Sequence, residues 1–534
     1  MNNPTEKQGI NRKRLFAGIC LALVPTGAQF ALIANVLGQW KVDFLLSNAQ
    51  VGFIAGTGIG AMAISLLLIG PWLEKFGMRV GTALAFFGHI IGLLVIISAV
   101  TLTGDPAAFW VLLIGAMLLA IGNGMIEVAG NPLTTALFPD DKTTKLNRFH
   151  AFFPIGIVGG ALIGAGLNFL EGGPLHFMYH WTFQLGIIGI PMLIYAAMVL
   201  PQTFPKTEYG ESGLPFGEMF SYTFTRPFLY LMLIMLGLAL CIELGSGRWI
   251  GEIFYHAEFG GAAILLIAWF SMIMIALRIF ASHFVRWLTP PGMLFVSALI
   301  LCVALLVFSV AEGPFTAFIA ATLFGMGVAF NFPTMVGIVA ERLPRAGSLG
   351  IVLVMGFGLL VGGLVGTPGV GWIADTQLAR YLDEDERREQ VTAVVFGADG
   401  AEGVFRRELE RIDGMTVDEL LAEGVTYVPE DFELALSLIV EAKENLQVHG
   451  GRIEGVAIPR AMREIGVVPM DHPVVHRSRE LIGPAEAWGG QRALMLISPA
   501  AFLMMIVFGV MFFNDRRRGG YRARKLTTET TPEE

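Results

Sequence analysis

Charge is scarce in this sequence. Only 15% of its 534 residues are Asp, Glu, Lys or Arg, while 54% are hydrophobic. A soluble globular domain carries about 25% charged residues. With a mean hydropathy of +0.65, a polytopic membrane protein is the first expectation rather than a soluble enzyme. Cysteine is scarce as well. Cys20, Cys241 and Cys302 all sit in apolar runs, so neither a disulfide framework nor a cysteine metal site is expected. A glycine loop of the phosphate-binding kind is also missing, so ATP is not the expected energy source and no cofactor is implied. The basic tail "NDRRRGGYRARK" reads as a topology anchor rather than a nucleic-acid site. The first apolar run, from Leu15, has no small-residue cleavage pattern and reads as a retained helix.

What is present is a series of apolar runs, each about 20 residues or longer, the length that crosses a bilayer. Six fall near 15–38, 50–70, 80–102, 109–137, 146–170 and 180–200, and six more near 227–252, 261–284, 292–311, 314–340, 347–374 and 492–513. The expected architecture is therefore an all-α membrane protein of 12 transmembrane helices in two six-helix halves. Its parts are a first half (1–200), a linker (201–226), helices seven to eleven (227–375), an insertion (376–491), helix twelve (492–513) and a basic tail (514–534). Placing the N-terminus inside puts 20 Lys and Arg residues in cytoplasmic segments and only Lys41 in the short outer loops. The positive-inside rule then sets both termini in the cytoplasm and the insertion outside.

The halves echo one another. Gly122 and Gly124 return as Gly325 and Gly327, and Gly159-Gly160 return as Gly362-Gly363, with one shared offset of 203 residues. Duplicated halves of this kind are common in secondary transporters. The insertion is polar and acidic. "PEDFELALSLIVEAKENLQVHGG" predicts a helix of about 20 residues stopped at Gly450, and "TVDELLAEG" a shorter one opened by a Thr416–Glu419 capping box. The segment is read as a small helical extracytoplasmic domain, or simply a spacer.

The loop between helices two and three reads "GPWLEKFGMRVG". Gly70, Glu74, Lys75, Gly77 and Arg79 carry the glycine, acid and base pattern of the major facilitator superfamily, which this chain resembles. Glu74 is expected to pair with cations at neighbouring helix ends while the cytoplasmic side is closed, and the glycines to permit close packing and a tight turn. The equivalent loop of the second half, "ASHFVRWLTPPG", is degenerate.

Helix four holds a carboxylate where charge is costly. Glu127 lies ten residues from the inner end, about 15 Å deep, near the midplane where such transporters bind solute and ion. An isolated ionised Glu there costs about 2.5–3.5 kcal/mol or more. Asn123, Glu127 and Asn131 are spaced i, i+4, i+8 and are expected to form one polar stripe beside the bend at Pro132. "ExxGNPLTTALFP" followed by "KLNRFHAFFPIG" resembles helices four and five of the fucose–galactose–gluconate permease branch, matching at Glu127, Asn131, Pro132, Leu146, Asn147 and His150. The resemblance implies proton symport of a monosaccharide, with Glu127 binding both proton and sugar. That branch also has an acid in helix one. Here "GAQFALIANVLGQW" offers only Gln29 and Asn35, so coupling through Glu127 alone, through sodium, or no coupling stays open.

Glu243 in helix seven is placed to replace the missing acid, and Trp249 to stack on a sugar ring. Arg248 and Glu252, i and i+4, read as an outer-gate pair or as a snorkelling arginine. Arg278 in helix eight matches an arginine of the branch and is expected to pair with a carboxylate or bind substrate oxygens. Gln29, Asn35, Asn168, Gln184 and Asn331 are candidates for binding solute hydroxyls, and Phe153 for ring stacking; each is also explained by packing. His150 reads as a hydrogen-bonding group. The expected partners are a small solute, a coupling cation (proton before sodium) and the lipid bilayer, for a monomer. The rival functions are an exporter or carrier of another polar solute, and a sensor that reads solute with the insertion.

Overall fold

The computed structural model describes residues 9–44, 46, 48–105, 107–254, 264–398, 400–423, 429–468, 470–524 and 526. Apolar runs whose backbone no water can satisfy must close their hydrogen bonds internally, and helices do this. The spans are α1 (Arg12–Phe44), α2 (Asn48–Leu68), α3 (Leu73–Ser98) and α4 (Ala108–Leu137). α5 (Lys142–Asn168) and α6 (Trp181–Val199) complete the first half. The second half has α7 (Pro227–Phe254), α8 (Ile264–Ile279), α9 (Ala281–Phe308), α10 (Pro314–Arg342), α11 (Pro344–Leu382) and α12 (Pro473–Arg517). Among the described residues the even number of crossings brings the start of α1 and the end of α12 to one face, called here the terminal face.

Within each half, small residues set the closest approaches. A Cβ on Gly124 would meet Ser65 of α2, and one on Gly122 would meet His89 of α3. In the second half Gly325 lies against Phe270 of α8 and Gly327 against Leu301 of α9. The partners are exchanged relative to the 203-residue offset, so the halves repeat their architecture but not its residue register. A backbone repeat is clearer at the loop predicted to be degenerate. Gly77 (φ 80°, ψ 157°) kinks α3, and Thr289 (φ 60°, ψ 162°) kinks α9 in nearly the same conformation. Glycine adopts that region freely; a β-branched residue is strained there by about 1–3 kcal/mol. Thr289→Gly is therefore expected to raise thermal stability by about 1 kcal/mol, after the entropy that glycine costs. A fluorescence melt of the purified protein in detergent checks this, and a lowered midpoint refutes it.

The halves meet most extensively toward the terminal face, where α11 packs on α2, α10 on α5 and α8 on α5. A Cβ on Gly70 would touch Val352 of α11, and one on Gly337 of α10 would touch Thr143 of α5. The linker helices Glu208–Ser212 and Phe216–Thr225 lie under this seam, where Tyr209 and Met219 pack with Leu349 of α11.

The insertion has its own apolar core, which includes Phe405, Phe432, Ile439, Ile458 and Ile465. α11 runs on to Leu382 and α12 begins at Pro473, ahead of the predicted 492, because both helices continue as a stalk beneath it. Arg463 ties the domain to the stalk through Asp375 of α11 and Glu486 of α12. The two predicted helices are present as Pro429–Val448 and Val417–Ala422. The capping box closes, with Thr416 N donating to Glu419 Oε2 (2.7 Å) and Glu419 N to Thr416 Oγ1 (3.4 Å). Hydrogen bonds from Lys443 and Arg406 hold the Glu402 carboxyl below the usual carboxylate range. That contact supports the fold above the usual range and is lost as pH falls through the lowered value.

Candidate functional site

Glu127 is 3% exposed and Asn131 fully buried. One helical turn brings the Asn131 amide back onto the carboxylate: Nδ2 donates to Glu127 Oε2 (2.6 Å) and to the Glu127 carbonyl (2.9 Å). Asn131 Oδ1 is then the free acceptor, and it takes the proton on His150 Nε2 at 2.9 Å. That ring nitrogen is 3.8 Å from Glu127 Oε2. α4 and α5 thus hold the carboxylate in a neutral polar cradle.

Two prolines explain what lies beside it. A proline at position i has no N–H for the carbonyl at i−4. Pro154 of α5 therefore releases the carbonyl of His150, and Pro333 of α10 releases that of Ala329. Arg278 of α8, only 4% exposed, fills both vacancies. Its Nε donates to Ala329 O at 2.6 Å and its Nη1 to His150 O at 3.0 Å. Its Nη2 lies 3.9 Å from Glu243 Oε1. One guanidinium fork thus joins a broken turn in each half to a carboxylate of α7, and it interacts electrostatically with Glu127 as well. Such a fork suits this task because its donors are planar and divergent.

Further polar groups cross the seam nearer the terminal face. Asn147 Nδ2 donates to Thr334 Oγ1 of α10 at 3.1 Å. Glu74 of the signature loop accepts from Thr207 Oγ1 of the linker (2.6 Å) and from Ser348 N (3.2 Å). Ser348 opens a helical stretch of α11, so Glu74 binds a helix N-terminus of the other half rather than a cationic side chain. Lys75 stands over the rings of Trp72 and Phe216, and Arg79 donates to Leu200 O.

A family profile described as Major Facilitator Superfamily matches residues 19–375. The chain belongs to the Major Facilitator Superfamily. A comparison with curated protein sequences gave no match. Among solved structures, the chain is similar to FucP, the fucose:proton symporter of E. coli, in its outward conformation. Identity is 19% and the TM-score 0.55, over 67% of this chain and 92% of that one. It is similar to the proton:xylose symporter XylE at 13% identity and a TM-score of 0.52, over 67% of this chain and 87% of that one. A bacterial homologue of the human lysosomal transporter Spinster, inward-facing and occupied, aligns at 15% identity and a TM-score of 0.55. That match covers 95% of this chain and 97% of the other. At such identities the likeness is one of fold. The molecule is a multi-pass membrane transporter of this superfamily.

Not every predicted residue of this transporter joins the central cluster. Asn123 points away from Glu127. Its Oδ1 meets His89 Nε2 (2.9 Å), and His89 Nδ1 meets Tyr195 OH (3.0 Å), bolting α4 to α3 and α6. Asn35, Asn168 and Gln184 bond one another across α1, α5 and α6. Trp249 Nε1 donates to Thr367 O of α11 at 3.1 Å. Phe153 packs edge-on against Phe30 of α1. Among the described residues, Gln29 Oε1, Glu243 Oε2 and both amide atoms of Asn331 are buried without a hydrogen-bond partner. The Arg248 and Glu252 side chains lie outside the described residues. The sequence reading missed the bonding of His89, the joint role of Pro154 and Pro333, and Glu341 of α10, which accepts from Thr143 N (3.2 Å) and Oγ1 (2.8 Å). The prolines were legible: each stands four residues after the carbonyl it releases.

Proposed function

We propose that this transporter is a proton-coupled symporter of a monosaccharide-class solute, working by alternating access with Glu127 as the coupling carboxylate. The observation that carries the reading is the buried chain from Glu127 through Asn131 and His150 to Arg278 and Glu243, which crosses from one half to the other. In this reading, a proton added to Glu127 removes a charge from the field of Arg278 and weakens what holds the halves together at mid-depth. Charge at one carboxylate then biases which face opens. Glu243, whose Oε2 has no partner, supplies the second acid that α1 lacks. The unpartnered polar atoms of Gln29 and Asn331 are the hydrogen-bonding capacity that a hydroxyl-rich solute would use once the site rearranges, since buried polar groups are costly unpaired. Lys and Arg placement supports cytoplasmic termini and an outer insertion, which makes the closed terminal face the cytoplasmic gate.

The test is uptake into right-side-out proteoliposomes across a panel of labelled monosaccharides, with an inward proton gradient or an inward sodium gradient imposed separately. Accumulation with the proton gradient alone is expected. Accumulation with sodium alone would move the coupling to a different ion, and no accumulation of any sugar under either would remove the symport reading.

A further inference from the structure

The chain end beyond α12 folds back under the bundle. Gly519 (φ 91°) and Gly520 (φ 100°) make the reversal, in backbone space that other residues rarely enter. The next residues dock on the inner end of α10. Tyr521 OH donates to Glu341 Oε2 (2.5 Å) and Arg524 N to Glu341 O (2.8 Å). The Tyr521 ring lies under the Arg342 guanidinium, which also pairs with Asp515 of α12. Leu526 then packs into the cluster of Tyr209, Met219 and Leu349 formed by linker and α11. Glu341 is 7% exposed, and its two oxygens are divided. Oε2 takes the tail, and Oε1 takes the backbone N–H and hydroxyl of Thr143 at the start of α5, in the other half. Alongside, Lys142 Nζ bonds Glu208 Oε2 of the linker (2.6 Å).

We propose that the C-terminal tail is a latch on the gate at the terminal face: Tyr521 is a positioning residue that holds the Glu341 carboxylate so that its other oxygen caps α5 across the seam. Tail, α10 and α12 belong to one half, so the Tyr521 bond itself survives opening; it stabilises the closed gate by fixing the geometry of the Glu341–Thr143 contact. Burial and the neighbouring Glu341 charge raise the Tyr521 phenol well above its ordinary range, so it stays a donor. Without it, a buried carboxylate oxygen loses its partner and the carboxylate is free to turn away from Thr143.

The latch rests on the alternating-access reading, and one experiment separates the two. Spin labels are placed on exposed positions in the full chain, after replacing the three native cysteines. One pair, Val80 and Trp287, reports the terminal face, and the other, Phe169 and Val310, reports the opposite face. Tyr521→Phe keeps the ring under Arg342 and removes only the hydroxyl. It is expected to raise the ratio of open to closed terminal face about three- to tenfold, less than the whole value of a hydrogen bond to a charged group, because only the Glu341–Thr143 contact differs between the two states. The Phe169–Val310 distance should shorten in step, whereas a merely structural role for the hydroxyl would lower the melting midpoint and leave both distances unchanged. Deleting 519–534 should give the same shift or a larger one. Wild-type distance distributions in Tyr521→Phe overturn the latch; a wild-type protein with one narrow distance at both faces, with and without solute, overturns both it and alternating access.

Discussion

Glu127→Gln is expected to leave a transporter that exchanges solute but no longer accumulates it. Gln keeps the length of Glu and a carbonyl oxygen that accepts from Asn131 Nδ2, now 2.6 Å from Glu127 Oε2. The cradle of Asn131 and His150 therefore stays occupied and the helix packing is unchanged. What disappears is the ability to lose a proton. A permanently neutral side chain fixes the site in its protonated form, so the halves still rock when solute is bound on both sides, but a proton gradient has nothing to act on. Gradient-driven uptake should fall to background, a loss of roughly 100-fold or more, as large as the coupling free energies that link two sites. Counterflow of labelled solute should stay within about threefold of wild type. The pH dependence of uptake should vanish with it. Folding stability should change little, because the Asn131 bond is kept and Arg278 retains Glu243. Uptake at the wild-type rate with the wild-type pH profile would exclude Glu127 as the coupling site and leave Glu243 as the candidate.

How far the sequence reached depended on how local each cause is. The spans follow from apolar length alone, because a helix in lipid must satisfy its own backbone. α4 was expected over 109–137 and is found as Ala108–Leu137. The Thr416 cap and the tight turn at Gly77 are local and were legible. The stripe of Asn123, Glu127 and Asn131 was legible only in part. Steps of four residues advance 40° around a helix of 3.6 residues per turn. Two steps turn the outer pair about 80° apart, enough to send Asn123 to His89 and Asn131 to His150. The partner of Arg278 could be expected to be a carboxylate. Its two backbone partners could not, because they require knowing that α5 and α10 lie side by side. The same holds for Glu341, an acid whose partners come from α5 and from a tail 180 residues away.

Arg278 is where the second large effect is expected. Its removal strands three groups at once: the carbonyls of His150 and Ala329, which Pro154 and Pro333 deny their i+4 N–H, and the Glu243 carboxylate. Losing one member of a buried ion pair costs about 3–5 kcal/mol, a large share of the stability of most proteins. Arg278→Ala should therefore lower the melting midpoint sharply and abolish transport. Arg278→Lys should fold better and still fail to transport, because an ammonium carries charge but cannot reach two carbonyls and a carboxylate from one plane. The double variant Arg278→Ala/Glu243→Gln separates the contributions. If the ion pair dominates, neutralising Glu243 restores most of the lost stability; if the carbonyls dominate, it restores little. Pro333→Ala in the Arg278→Ala background returns an N–H to the Ala329 carbonyl and should recover the share due to α10. Recovery by both routes, without recovery of transport, is expected if the guanidinium serves as the cross-half junction and not merely as a structural filler. Full transport in Arg278→Lys would show instead that charge alone is what the site requires.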